Sequence, residues 1–466
     1  MTSPKVTVYI TNHNYARFVQ QAIDSVIGQK FSDWELIIID DGSTDGSQEV
    51  LRAYETAPNV QLVLQENKGL TVSSNIALRL SRGEYIMRLD ADDYLDENAL
   101  LVLSNVLDTH PEVGLVYPDF YAIDERGEIV GMKRRNKVGR EITLPDVPAH
   151  AACTMIRRKC LQELGGYSEE ITCHDGYELW LRFIEKFGVY NVNVPLFYYR
   201  QHGSSLSADK EKILESRRLI KRRFVDERRG NGRISVVGII PVRGREHGEA
   251  GYALREIAGR PLIDYTIEAA LASAVCRAVV VVSEDDATLE HVHGRPGVVA
   301  MKRPPNLARA NSPIAPTVRF VMEALTTDFD AFMLLYVNSP LRTSSHVRNA
   351  LDTMVIFDVD SVISVYEDLS NHYLHVGEGL QPLFPRRMLR LEREALWVEN
   401  GAVYLSRRQN LRDDDYLGQR IGHIVMLRSE SFQIDSEEDF FLVERMLLDR
   451  ARAARGDAAR GDVALA

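Results

Sequence analysis

The sequence has little cysteine and no long apolar run. Of its 466 residues four are cysteine, and Cys153, Cys160, Cys173 and Cys276 stand without CxxC spacing. A zinc site or a disulfide framework is therefore not indicated, and a reducing compartment fits. No stretch approaches the roughly 18 to 20 apolar residues that cross a bilayer, so no transmembrane segment is expected. Because "MTSPKVTVYI" enters a strand pattern at once, secretion is not expected either. We expect a cytoplasmic protein, with peripheral attachment at the inner face of the membrane left open.

The sequence also lacks an excess of positive charge. It has 56 Lys and Arg against 67 Asp and Glu, which gives a net charge of -11. A general nucleic-acid binder needs a basic surface to displace counterions from phosphates, so no nucleic-acid partner is expected. Any phosphate that the chain binds must be held locally, by a metal ion or by a few basic groups.

Short β-branched runs alternate with helical patterns in two separate stretches. The first stretch contains "VTVYI", "WELIIID" and "EYIMRLD", and the second begins at residue 234 with "ISVVGIIPVRG". This alternation is typical of parallel sheets covered by helices, so we predict an α/β protein with two Rossmann-like α/β domains. The length agrees, because it exceeds what one hydrophobic core usually serves.

The predicted domain boundaries follow changes in composition. The first domain is predicted at residues 1–207 and the second at residues 233–450. Residues 208–232 between them are charged, have a helical pattern and end near "GNG", which indicates a helical connector and a hinge. Residues 451–466 lack a capped apolar face and are predicted to be disordered.

Two acidic clusters end strands of the first predicted domain. "IIIDDGSTDGS" places Asp40 and Asp41 after one strand, and "MRLDADD" places Asp90, Asp92 and Asp93 after another. Ligands of an open parallel sheet bind beyond the carboxyl ends of its strands. Because neighbouring carboxylates repel, such a cluster suggests a divalent cation, a hydrogen-bonding task or simple solvation. One cluster alone is more often a turn or a helix cap, whereas two at strand ends of one sheet favour a ligand site.

Ordered motifs of this first domain resemble the family 2 inverting glycosyltransferases of the GT-A fold. They are "VYITNHNYARFVQQAIDSVIGQKFSDWELIIIDDGSTDGSQEVL", "ENKGLTVSSNIALRLSRGEYIMRLDADDYL", "HDGYELWLRF" and "LFYYRQHGSSLS", spread over about residues 4–207. The resemblance implies a nucleotide-diphosphate sugar as donor, and a UDP-sugar is expected. On this resemblance Asp41 reads the uracil, and Thr11 and Asn14 border the nucleotide.

The same resemblance implies roles for the remaining polar residues. Asp90 and Asp92 meet the donor nucleotide at its ribose, and Asp92, Asp93 and His202 hold Mn²⁺ or Mg²⁺ on the diphosphate. Asp175 in "CHDGYELW" matches the general base. From the residues alone two alternatives stay open: Asp175 as the N-cap of the following helix, and His202 as a cap of a strand end.

These residue types suit an inverting sugar transfer. A carboxylate-held divalent cation neutralises charge on the departing diphosphate, and a carboxylate on the opposite face of the sugar takes the proton of the acceptor hydroxyl. We therefore predict a metal-dependent transfer to a hydroxyl of a glycan, a lipid-linked carrier or a protein. "TNHN" and "VSSN" depart from the usual family motifs, which leaves the choice of base and sugar open.

The second half resembles the cytidylyltransferases that include CMP-sialic acid synthetases. Its matching motifs include "IAGRPLIDYTIEAAL", "LLYVNSPLRT" and "QIDSEEDFFLVERML". In that family an arginine, a serine–lysine pair and a lysine–asparagine pair wrap the triphosphate of CTP. Arg243 is kept here, but Glu246 and His247 replace the first pair, and Tyr252 and Ala253 replace the second.

The metal-binding residues of that family pattern are altered as well. Gln433 replaces one of two aspartates, and Asp435 remains. A glutamate that faces a polyanion opposes binding, so we predict a catalytically degenerate domain that binds a partner, a sugar acid or a nucleotide, or stabilises the first domain. The resemblance also implies self-association into a homodimer through this second domain. The alternatives are an active CTP:sugar-acid cytidylyltransferase, which would make the chain bifunctional, and a non-catalytic scaffold for surface-polysaccharide or flagellin glycosylation. Arginines can anchor an anionic sugar or simply lie solvated on a loop, and the candidate ligand-binding residues are Arg243, Arg386, Arg387, Asn400 and Asp435.

Overall fold

A computed structural model of the chain describes residues 3–135, 152–171, 173–203, 209–227, 234–244, 252–309, 312–377, 379–384 and 396–463, without side chains beyond residue 453. The chain divides into two compact units. The first unit is Met1–Arg217 with Asn371–Glu394, and the second is Arg218–Ser370 with Ala395–Ala466. Within the described ranges, no helix is both long enough and apolar enough to cross a membrane.

The first unit is built on a mixed sheet. Its strands are β1 (Val6–Asn12), β2 (Trp34–Asp41), β3 (Val60–Gln65), β4 (Tyr85–Asp90), β5 (Tyr94–Leu95), β6 (Val113–Ile123), β7 (Ile129–Lys133), β8 (Met155–Arg157) and β9 (Gly188–Arg200). Their order is β3-β2-β1-β4-β8-β6-β9-β5, and β7 pairs with β6. Strands β1 to β4 run parallel, whereas β8 is antiparallel to both of its neighbours.

Parallel pairing brings the polar strand ends of this sheet to one edge. In the register of β1, Thr11 lies beside Asp90 of β4, and Asn12 lies beside Asp40 of β2. Every residue of β2 is buried, as predicted for a strand covered on both faces. The acidic clusters therefore share the carboxyl edge of β1, β2 and β4.

Helices cover this sheet through apolar faces. They are α1 (Val19–Ile27), α2 (Ser47–Arg52), α3 (Leu70–Leu80), α4 (Ala99–Thr109), α5 (Arg158–Glu163) and α6 (Asp175–Ile184). In α1, Val19, Ala22, Ile23 and Val26 are buried at the spacing of one helix face. They join the strand side chains in one core cluster, and each large aliphatic side chain there contributes about 1.5–3 kcal/mol to folding.

The second unit is also an α/β assembly around a mixed sheet. Its sheet strands are β10 (Val236–Val242), β13 (Cys276–Ser283), β14 (Val298–Lys302), β15 (Ala331–Leu334), β16 (Ser361–Asp368), β19 (Leu396–Arg407) and β20 (Ile421–Val425). Their order is β14-β13-β10-β15-β19-β16-β20. Outside this sheet, β11 (Glu256–Ile257) and β12 (Arg260–Pro261) form a short hairpin. Another described hairpin, β17 (Tyr373–His375) with β18 (Leu380–Pro382), belongs to the first unit. The helices are α8 (Leu262–Ala272), α9 (Asp286–Val292), α10 (Ala315–Ala324), α11 (Ser344–Phe357) and α12 (Glu437–Val463).

The described backbone differs from the predicted boundaries at two places. The connector contains the helix α7 (Lys210–Glu227), but the division between the units falls inside it, after Arg217. Helix α12 continues through Val463, where the sequence predicted a disordered tail at 451–466. Alanine and arginine are strong helix formers, so a helix can extend there without an apolar face to bury.

Candidate active site

Asp41, at the end of β2, forms hydrogen bonds with the end of β3 and with the loop before α3. One carboxylate oxygen accepts hydrogen bonds from the Gln65 side chain and the Lys68 backbone N–H, and the other accepts one from the Gly69 N–H, all at 2.8 Å. The side chain is buried, so any ligand that contacts this carboxylate would share it with three internal donors. The neighbouring Asp40 is fully buried and braces the same edge, because it accepts from Asn12 at 2.8 Å.

Small polar side chains form the rim beside Asp41. Asn14 has a left-handed backbone with φ of 63°, its N–H donates to Ser43 Oγ at 2.9 Å, and its side-chain oxygen accepts from the Thr44 N–H at 2.7 Å. His13 is exposed and places Nδ1 2.8 Å from the Asp41 carbonyl oxygen, and Asn67 Nδ2 lies 3.3 Å from the same ring. Sequence reasoning missed His13 and Asn67 as site residues, although His13 belongs to "TNHN", which departs from the usual family motif.

Arg88 links the two halves of the site. It lies in β4 with only 7% of its side chain exposed, donates from Nε to Asp90 at 2.6 Å, and donates from Nη1 to Asp175 at 2.8 Å. Burial opposes its charge, but Asp90 and Asp175 outweigh burial and hold the pKa of Arg88 well above its ordinary value. The sequence prediction did not include Arg88; the available signal was an arginine inside an otherwise buried strand.

Asp175 is the first residue of α6 rather than its cap. The N-cap position is occupied by His174, whose φ is 63° and whose side chain makes no capping hydrogen bond. The Asp175 carboxylate is directed to Arg88 instead, which removes the capping alternative. The imidazole of His174 is largely buried with no hydrogen-bond partner for Nδ1 among the described residues. Burial, and after it the charge of Arg217, lowers the pKa of His174 to about 4.

Asp92 and His202 meet on the other side of Asp90. His202 Nε2 lies 2.9 Å from Asp92 Oδ2, and the imidazole stacks on Phe18 with ring centroids 5.6 Å apart. Burial and the charge of Asp90 raise the pKa of Asp92. A carboxylate that resists ionisation in this way gains from a nearby cation.

Asp93 is held by the backbone of β9. Only 1% of it is exposed; Oδ1 accepts the Arg200 N–H at 2.8 Å, and Oδ2 has no hydrogen-bond partner in the described part of the chain. Burial first, and then the charges of Asp92 and Asp90, raise its pKa well above the ordinary value. Arg200 also donates from Nε to the Asp92 carbonyl oxygen at 2.8 Å, which fixes this acidic turn against β9.

The predicted metal ligands fit a partly built cation site. Asp92 and His202 are brought together, whereas Asp93 is engaged with the backbone. Across the described ranges, no group of three His, Cys, Asp or Glu side chains is arranged to hold a metal ion by itself. Mg²⁺ often takes one or two protein carboxylates and completes its shell with water and substrate phosphates, so the pair fits a cation that arrives with a diphosphate.

The candidate residues of the second unit are not all brought together. Arg243 and Asp435 line one cavity of about 610 Å³ at the carboxyl ends of β10 and β15, together with Tyr252, Ala253 and Arg303. Asn400 is buried and donates to Ser431 Oγ at 2.8 Å, and it is not among the residues that line this cavity.

Several residues of the phosphate and sugar-acid predictions fall in ranges that the structure does not cover. These are Arg386 and Arg387 of the candidate anchors, and Glu246 and His247 of the altered phosphate loop.

Comparison with known proteins gives the family. The model of glycosyl transferase family 2 matches residues 7–165. The chondroitin synthase of Escherichia coli is 29% identical over 213 residues, which are 45% of this chain and 31% of that protein. The putative glycosyltransferase EpsE of Bacillus subtilis is 30% identical over 207 residues, which are 43% of this chain and 74% of that protein.

A solved structure resembles the chain more distantly. The structure of S. aureus TarS 1-349 in complex with UDP-GlcNAc has 18% sequence identity and a TM-score of 0.41, and covers 48% of this chain and 67% of that one. Among the curated relatives, the chain spans only 31% of the chondroitin synthase and 21% of the hyaluronan synthase of Pasteurella multocida. EpsE is different, because 74% of its length is matched at 30% identity. On the family match and on this relative, the chain belongs to glycosyl transferase family 2.

Proposed function

We propose that the first unit is a metal-dependent, inverting glycosyltransferase. It moves a sugar from a nucleotide-diphosphate donor, a UDP-sugar, to a hydroxyl of a glycan, a lipid-linked carrier or a protein. The observation that carries the proposal is the meeting of Asp90 and Asp175 on the single guanidinium of Arg88, at the sheet edge where Asp41 and Asp92 also lie. Family membership supports the same reaction class.

The donor lies along the carboxyl edge of β1, β2 and β4. His13, Asn14 and Thr11 border the nucleotide, and Asp41 and Asp90 accept from its base and ribose. Asp92 and His202 would hold a divalent cation, which when bound would supply positive charge to the departing diphosphate.

Asp175 acts as the general base. It takes the proton of the acceptor hydroxyl while that oxygen bonds to the anomeric carbon and the bond from this carbon to the diphosphate oxygen breaks. The electron pair of the broken bond leaves with the diphosphate, and the single displacement inverts the anomeric centre. A carboxylate within hydrogen-bond reach of the acceptor is the group that this step requires.

The test is Asp175→Asn, measured as UDP release from UDP-sugars with Mn²⁺ present. Proton transfer by a positioned side chain contributes about 10²–10⁴-fold, so a loss of at least about 100-fold is expected while UDP still binds. Asp33→Asn is the control, because Asp33 is an exposed acid before the amino end of β2. Unchanged turnover in Asp175→Asn would remove the base assignment.

We further propose that the second unit is a cytidylyltransferase-like domain that no longer transfers nucleotides. Arg303, which lines the cavity, is paired with Glu284 at 2.5 Å, and Asp435 accepts from Asn338 at 3.1 Å. The Tyr252 hydroxyl donates to the Ile434 carbonyl oxygen at 2.7 Å. A triphosphate needs surplus positive charge and free donors. Of the two cations that line the cavity, Arg303 is already paired, and Arg243 forms no ion pair with another described residue.

Incubation with CTP, Mg²⁺ and a set of nonulosonic and ulosonic acids tests this second assignment. We expect no pyrophosphate, and its release would establish the bifunctional alternative instead. Hydrolysis of a UDP-sugar in the same preparation would exclude a purely scaffolding protein. Self-association through the second unit stays a prediction, which light scattering across a concentration series would measure.

A further inference from the structure

One buried guanidinium in the first unit serves two carboxylates from different elements. Arg88 lies in the middle of β4, beside Tyr9 of β1 in the sheet register. Asp90 ends the same strand, and Asp175 begins α6, 87 residues further along the chain than Arg88. The donor side and the acceptor side of the proposed site are thus joined by a single side chain.

The geometry of the guanidinium fixes how its partners are arranged. The group is planar, and its N–H donors point in set directions, so it imposes orientation as well as charge. Here the Nε edge is taken by Asp90 Oδ1 and the Nη1 edge by Asp175 Oδ2. Among the described residues, Asp175 Oδ1 has no hydrogen-bond partner, so this is the oxygen left for an acceptor hydroxyl.

A second set of contacts holds Tyr167, which precedes α6 in the chain. The Asn75 side chain of α3 donates to the Tyr167 carbonyl oxygen at 2.9 Å and accepts the Tyr167 N–H at 2.8 Å. The Tyr167 hydroxyl in turn accepts from Tyr9 at 2.9 Å. These contacts hold Tyr167, whereas the Asp175 carboxylate itself is contacted by Arg88.

We propose that Arg88 is a positioning residue for the transfer reaction. It holds the Asp175 carboxylate turned so that Oδ1 faces the acceptor, at a distance from Asp90 that the guanidinium sets. This inference rests on the proposed function, because it takes Asp175 as the base. It goes further by assigning the orientation of the base to a residue that contacts neither sugar nor acceptor.

The experiment compares Arg88→Gln and Arg88→Lys with Arg82→Gln. Arg82 is a control for the loss of an arginine ion pair outside the site, because its exposed side chain pairs with the buried Glu35 at 2.6 Å, just before the amino end of β4. For Arg88→Gln we expect kcat for UDP-sugar turnover to fall by about 100-fold, the size of effect that a misplaced catalytic group produces. The donor KM should change by less than about threefold, since the nucleotide-binding groups remain. Arg88→Lys should recover part of the loss, because it keeps the charge but not the planar fork.

The double variant shows whether Arg88 acts through Asp175. Arg88→Gln combined with Asp175→Asn should lose no more UDP-sugar turnover than Asp175→Asn alone, because residues that act as a unit are not additive. A merely structural role would instead weaken UDP binding and add its loss of turnover to that of Asp175→Asn, and that result would overturn the inference. If Arg88→Gln does not fold, the kcat of Arg88→Lys tests the inference instead. We expect this kcat to be lower than that of the wild type, and an unchanged kcat would overturn the inference.

Failure of the inference and failure of the proposed function give different results. If Asp175→Asn keeps its turnover, the proposed base is wrong. If Asp175→Asn loses turnover while Arg88→Gln keeps wild-type kcat, the base stands and the positioning role of Arg88 falls.

Discussion

At the scale of single residues, the first unit gathers more carboxylates than cations at one sheet edge. Asp90 and Asp175 share Arg88, while Asp92 and Asp93 have raised pKa values because burial and mutual repulsion oppose their charges. Such a site is costly to leave unneutralised, and a divalent cation relieves the repulsion when it binds.

The metal dependence proposed for the transfer should follow the pair of Asp92 and His202. His202→Ala should raise the Mn²⁺ concentration that gives half-maximal UDP-sugar turnover by about 10-fold or more, since one of two protein ligands is lost. The control is His291→Ala in the second unit, where His291 Nε2 lies 3.0 Å from Asp264 Oδ1 in a similar pair. An unchanged Mn²⁺ dependence in His202→Ala would remove His202 from the metal site.

His174 should make the stability of the fold depend on pH. Its pKa falls from 6.5 to about 4 on folding, so the unfolded chain binds the proton more readily and stability falls as pH drops below 6.5. Between pH 7.5 and pH 5 this residue should remove about 2 kcal/mol from the free energy of unfolding. Urea unfolding at the two pH values checks this, because His174→Gln should lack that part of the decline. Parallel pH curves for the two proteins would contradict it.

At the scale of elements, the sequence predicted the parallel part of the first sheet better than the rest. β2 is an unbroken buried apolar run, and α1 has its apolar residues on one face, so both follow from local pattern. The antiparallel pairing of β8 with β4 and β6 comes from a stretch without clear alternation. Pairing between strands distant in sequence is decided by tertiary packing, which a local pattern does not contain.

The candidate active site, too, was only partly predictable from local sequence patterns. The strand-end carboxylates were predictable, because parallel strands put their carboxyl ends at one edge. The meeting of Asp175 with Arg88 depends on how α6 is brought to β4, and the Asp41 contacts depend on backbone N–H groups of a loop. Neither follows from the spacing of residues along the chain.

The link between α3 and the loop before α6 should be a stability element. Asn75→Ala would leave the buried N–H and C=O of Tyr167 without the partners that Asn75 gives them. An unsatisfied buried polar group costs about 1–3 kcal/mol, so the first unit should lose about 2–4 kcal/mol. Chemical denaturation measures this against Asn105→Ala, an exposed position on α4. A loss equal to that of the control would show that Asn75 is not a structural link.

At the scale of the whole molecule, two units with separate cores should unfold in separable steps, since multidomain chains depart from two-state behaviour. Asn75→Ala should lower the step that belongs to the first unit, which identifies it in a thermal scan. UDP with Mn²⁺ should raise the midpoint temperature of the first unit's step, because a ligand that binds the native state at 100 times its Kd adds about 2.7 kcal/mol of stability.

CTP with Mg²⁺ should leave the midpoint temperature of the second unit's step unchanged, since Glu284 already pairs with Arg303 in the cavity of that unit. A CTP shift in that step would show a working nucleotide site there, and the absence of a UDP shift in the first would show that the carboxylate edge does not hold the donor.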